Sequence, residues 1–219
     1  MQWLFTLALL AVPLGLAFFV FRRFYRQHTV QQHAVDTAVA AGGWTITRSD
    51  RRYLWQITGT FQGHPFEATC TRPHQSAGGT RSPNSQRATV TVQMPGGGVL
   101  LEPQALENLP AFVRQVATPF SPPGAEEIRR TGSSAPVAPG ADGSNPQWGG
   151  YLIWTTGGDS PVPSAELLEQ LTGYIRRKTP VVASWWQDTL TITVGGSTAS
   201  DPLPLLSLTD VLVALYARS

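Results

Sequence analysis

Residues 53–71 read YLWQITGTFQGHPFEATCT, and the alternation within them decides the fold. From Tyr53 to Phe61, and again from Pro65 to Thr71, bulky and polar side chains take turns along the chain. A period of two is that of a strand with one buried face. Gln62-Gly63 stands between the two runs as a turn, so they form a hairpin. Working outward, Trp44–Thr47 reads as a preceding strand, and Ala88–Met94 (ATVTVQM) as a following one that Gly96-Gly97-Gly98 closes; Val99–Leu101 then returns. The expectation is an antiparallel meander of four or five strands, with the polar stretch Pro73–Gln86 as a long loop.

The helical signals flank this meander. A polar segment from Phe24 to about Ala41 is helix-compatible, and Gly42-Gly43 ends it. Asn108 caps a helix reaching Ala117, with Leu109, Phe112, Val113 and Val116 on its apolar face. Thr118–Gln147 is rich in Pro, Ser, Gly and Ala without a period and reads as a linker or loop. Its Glu126-Glu127, before Arg129-Arg130, reads as a solvated charge cluster. Order resumes with a strand at Tyr151–Thr155 and a Ser164-capped helix to Arg177. A hairpin follows, Val181–Trp186 and Leu190–Val194 around Gln187-Asp188, and then a last helix behind a capping box at Ser207-x-x-Asp210.

The fold class expected is α+β: one N-terminal transmembrane helix, then a mainly antiparallel sheet with two or three packed amphipathic helices. The chain divides into 1–26, an anchor with an arginine cluster; 27–42, a helical extension; 43–117, the meander and a helix; 118–147, the loop; and 148–219, strand-helix-hairpin-helix within the same globular domain.

The anchor is the sharpest functional signal. The first 21 residues carry no charge, and Trp3–Phe21 is almost unbroken hydrocarbon. At the helical rise it spans roughly 28 Å, the thickness of a bilayer core. Phe18, Phe19, Phe21 and Tyr25 crowd one end as an aromatic belt, while Pro13 and Gly15 in mid-span would let another helix approach. Arg22, Arg23 and Arg26 follow at once, and no base precedes the run. The positive-inside rule then places the N-terminus outside and the C-terminal domain in the cytoplasm of a bacterial inner membrane. A cleaved signal peptide would need a basic start and a small-residue cleavage site, and both are missing.

Composition narrows the rest. Charged residues make up 14% of the chain, against roughly a quarter in ordinary domains. The net charge is +2 and three of the bases are juxtamembrane, which does not make a basic groove and argues against nucleic-acid binding. A lone cysteine, Cys70, excludes an internal disulfide framework. A Walker-type loop, a G-x-S-x-G elbow and a C-x-x-C-H motif are all absent from the sequence, and Cys70, His64 and His74 do not make a ligand set. The expectation is therefore no catalytic residue, no cofactor, no metal and no tightly bound small molecule. Seven tryptophans remain to be explained, and Trp148, Trp185 and Trp186 are the candidate partner surface. In layout alone, one span and a cytoplasmic β-rich domain, the chain is similar to the H subunit of purple-bacterial reaction centres, which implies an energy-transducing assembly as one class. The reading is an accessory or scaffolding subunit whose partners are membrane lipids and other membrane-protein subunits. A free-standing tethered binding module is the alternative, with an enzyme of another kind third.

Overall fold

The computed structural model describes residues 32–48, 53–71, 86–106, 122–138, 150–157, 164–176, 179 and 181–216. The expected transmembrane span, the 108–117 helix and the 73–85 loop lie outside them, as do Trp3 to Arg26 and Trp148. Among the described residues no helix is long and apolar enough to cross a membrane. The chain forms two compact units, Met1–Ala41 and Gly42–Ser219. In the first, residues 32–41 form helix α1, in which the Thr37 hydroxyl donates to the His33 carbonyl at 2.8 Å.

The second unit is α+β around one nine-stranded sheet. Its strands are β1 (Thr45–Arg48), β2 (Tyr53–Phe61), β3 (His64–Thr71), β4 (Arg87–Gln93), β5 (Val99–Pro103), β6 (Ser133–Ala138), β7 (Tyr151–Thr155), β8 (Val181–Trp186) and β9 (Thr189–Gly195). Its helices are α2 (Ala125–Thr131), α3 (Ala165–Arg176) and α4 (Pro202–Tyr216). The strand order is β1-β2-β3-β4-β9-β8-β5-β7-β6, and every neighbouring pair is antiparallel. The hairpin at 53–71 holds, with Thr58 opposite Glu67 and Ile57 opposite Ala68.

The meander has four strands, the lower of the two lengths expected. It ends at β4, and β9 pairs with β4 where β5 was expected. The three glycines explain the detour. Instead of turning back, residues 94–98 pass the tip of the β8–β9 hairpin. The Met94 N–H donates to the Asp188 carbonyl at 2.9 Å, and the Gly98 N–H to the Trp185 carbonyl at 2.7 Å. At Gly96 φ is +115°, and an added Cβ would sit 2.2 Å from the Trp185 ring, so only glycine fits this crossing. The chain emerges on the far side of β8 as β5.

Register separates the two faces. Trp55, Ile57, Phe66, Ala68, Cys70, Ala88, Val90, Val92, Leu190, Ile192, Val194, Ala183 and Trp185 share one face, and all are buried. Helix α4 covers it: the Trp185 ring stacks on Tyr216 at 5.2 Å, and Gln62 donates to Asp210 at 3.2 Å. The opposite face is threonine-rich over β1–β4 (Thr45, Thr47, Thr58, Thr60, Thr69, Thr89, Thr91), and its outer strands are open to solvent. Over β5, β7 and β8 this second face turns apolar, and α2 covers it there.

Two corrections concern boundaries. The final helix begins at Pro202, not after Ser207. Asp201 is its cap, its carboxylate accepting from the Leu203 N–H at 3.1 Å, and Pro202 takes the first helical position, where its missing N–H costs nothing. Ser207 and Asp210 sit within the helix. Helix α4 is also not amphipathic, since its buried residues include Leu205, Leu206, Leu208, Val211, Leu212 and Val213, which go round the helix. The stretch 118–147 is not simply a loop: it holds α2 and the edge strand β6, with β6 paired to β7 from Ser133↔Thr155 onward.

Candidate functional site

Three places in the sheet unit gather polar or aromatic groups. The first lies under α2. Glu102, on the second face of β5, is fully buried, and Arg129 of α2 reaches down to it. Arg129 Nε donates to both carboxylate oxygens at 3.0 and 3.2 Å, its Nη2 pairs with Glu102 as well, and its Nη1 pairs with Glu126. Burial alone would lower the pKa of Arg129. Hydrogen bonding and charge from Glu102, then from Glu126, outweigh it and hold the guanidinium above its usual value. Arg129 is thus a positioned, nearly buried group held on Glu102, whereas Glu126 and the Glu127–Arg130 pair stay exposed to solvent, as the sequence suggests for this cluster. The signal missed in the sequence is the i,i+3 spacing of Glu126–Arg129 and Glu127–Arg130, which favours a helical turn. Beneath α2 Leu100, Leu106, Ala125, Ile128 and Val182 form a small core, with Trp154 and Trp186 against it.

The tryptophan pair divides as adjacent strand residues must. Trp185 is 8% exposed on the α4 side, and its Nε1 donates to the Met94 carbonyl at 3.2 Å. It is a core residue, which withdraws it from the candidate partner surface: its face of the sheet is the one α4 closes. Trp186 faces the other way and lies half-buried against Gly124, where an added Cβ would meet the ring at 2.2 Å. Most of both rings is spent inside the molecule.

The third place is open. A groove of about 550 Å³ runs between α3 and α4, lined by Glu166, Glu169, Gln170, Gly173 and Tyr174 on one side and Leu203, Pro204 and Ser207 on the other. The spacing 166, 169, 170, 173 is one face of a helix. The Ser164 hydroxyl caps that helix by accepting from the Leu167 N–H at 3.1 Å, while Leu167 and Leu171 bury the opposite face. Gln170 ties the two walls, donating to the Ser207 hydroxyl at 2.9 Å. Glu166 and Glu169 stand exposed on the rim, one turn apart. Neither has an ion-pair partner among the described residues. Gly173 lies in the last turn of α3, and a Cβ there would meet nothing within 4 Å. Glycine within a helix costs about 1 kcal/mol relative to alanine, and no neighbour among the described residues requires it.

Elsewhere the chemistry is quiet. Cys70 is fully buried, and burial pushes its thiol up to about 12. Among the described residues no three His, Cys, Asp or Glu side chains come close enough to hold a metal ion. No protein-family model, curated protein or solved structure matches this chain.

Proposed function

We propose that this chain is a non-catalytic, single-pass accessory subunit of a multi-protein membrane assembly, anchored by Trp3–Phe21 and facing the cytoplasm with its sheet domain. One observation carries the reading: a bilayer-length uncharged run followed at once by Arg22, Arg23 and Arg26. The domain supports it. Its buried charges, Glu102 and Arg129, are spent on each other, and its open polar features, the α3–α4 groove and the threonine face, suit contact with another surface. An energy-transducing complex is one class of assembly that fits this layout.

Extraction of the membranes in mild detergent tests it. The chain is expected to purify with stoichiometric membrane-protein partners that survive moderate salt. A clean monomer would overturn the reading. The groove favours a second function, a tethered module that binds its ligand alone, and the monomer is the outcome that reading requires. Protease treatment of sealed inner-membrane vesicles should cleave the domain only from the cytoplasmic side.

A further inference from the structure

We infer that the α3–α4 groove is the docking site for a basic segment of an integral-membrane partner, one that presents an apolar side chain flanked by lysine or arginine. The identity of the partner rests on the accessory-subunit reading. The chemistry of the occupant rests on the groove itself.

Three features specify that occupant. The lining is partly apolar, with Leu203, Pro204 and Tyr174 among its residues, so it takes hydrocarbon. The rim is acidic: Glu166 and Glu169 are exposed and lack ion-pair partners among the described residues, so they complement cations. Through α3 and α4 the carboxylates are Glu166, Glu169 and Asp210, while the bases, Arg176 with Arg177-Lys178 directly after it, come at the far end of α3 from Glu166. The third feature is Gly173. A residue that weakens the helix stands where a side chain would project into open space. Such a glycine is explained if the space above it is reserved for an incoming side chain. The same acidic rim repels anionic lipid headgroups, so the groove does not fit a bare membrane surface. Cytoplasmic segments of membrane proteins, by contrast, are enriched in lysine and arginine.

The test uses the full chain in neutral detergent and a fluorescein-labelled short peptide of leucine and arginine, with a twin in which glutamate replaces arginine. Anisotropy should show the basic peptide binding, with an affinity that falls as salt rises, and the acidic twin failing to bind. Gly173→Leu should cut affinity at least about tenfold by filling the groove, while the melting temperature stays level or rises because a helix glycine is gone. Glu166→Gln with Glu169→Gln should weaken binding roughly three- to tenfold and flatten the salt dependence. No binding to the wild type, equal binding of the twin, or wild-type affinity in Gly173→Leu would each overturn the inference. Co-purification separates it from the reading beneath it. If Gly173→Leu still carries its partners at wild-type stoichiometry, the groove is not the docking site and the accessory role stands. If the wild type is monomeric, the accessory role falls, with it the identity of the partner.

Discussion

Glu102 is the residue on which the α2 side of the molecule turns. Its carboxylate is fully buried on a strand, and among the described residues Arg129 alone, from a seven-residue helix too short to hold itself, answers its charge. Arg129→Ala should therefore cost about 3–5 kcal/mol, because it leaves an uncompensated buried anion. Replacing both partners by leucine should restore most of that stability, and urea melts of the two variants measure the difference. Arg129 itself does not titrate in ordinary buffers: its folded pKa lies above the usual value, so its contribution is present throughout and is lost only at extreme alkalinity. Cys70 behaves differently within reach of experiment. Its thiol ionises near 9.0 when unfolded and near 12 when folded. The folded state thus holds the proton longer, so the contribution is complete below pH 9 and is lost as pH climbs toward 12. Denaturant midpoints should fall across that window, and Cys70→Ala should flatten the fall. Below pH 9 the native thiol should resist alkylation until the protein is unfolded.

Local order was legible wherever one element carried its own signal. The alternation of 53–71, the Ser164 cap and the Gln187-Asp188 turn all correspond to elements found in place. That turn places both residues at positive φ, +48° and +60°, the conformation of a tight two-residue hairpin. Asp188 is doubly suited to it, because its carboxylate also accepts from the Gly96 N–H at 2.8 Å. The start of α4 differs from the expectation because Ser207-x-x-Asp210 imitates a capping box, while the cap in place is Asp201, directly ahead of Pro202. Asp201→Ala should cost about 1 kcal/mol by unfolding measurements, and Ser207→Ala should cost little for the helix start, having no cap to lose. Helix α2 carried only the i,i+3 charge spacing as a local signal, and strand β6 carried none. Alanine, proline and glycine dilute any period there, and α2 is held by Glu102 and the apolar face of β5 and β8 rather than by its own sequence. Among the candidate docking residues, the face 166-169-170-173 was readable as the polar side of a helix, but the facing wall from α4 was not, because pairing two helices is a tertiary event.

At the scale of the whole sheet unit, strand order is the feature no local pattern could supply, and it has a mechanical consequence. The first four strands form a local meander, yet β4 pairs on its outer side with β9, whose partner residues lie about a hundred positions later: Ala88 opposite Val194, Val90 opposite Ile192, Val92 opposite Leu190. Strands β5, β6 and β7 reach the meander only through β8 and β9. The β8–β9 hairpin is thus the one bridge between the two halves of the sheet. It also carries the core, since Leu190 and Ile192 are fully buried against the α4 side. Damage at its centre should loosen both halves together. Ile192→Ala removes a buried branched side chain and should cost about 2–5 kcal/mol. If the sheet unit is cooperative, near-ultraviolet and far-ultraviolet circular dichroism should lose signal at one lowered midpoint, and amides of β2 and β7 should lose exchange protection in parallel. An independently folded meander would instead keep β2 protected while β7 opens, and that result would show the sheet to be two units sharing an edge.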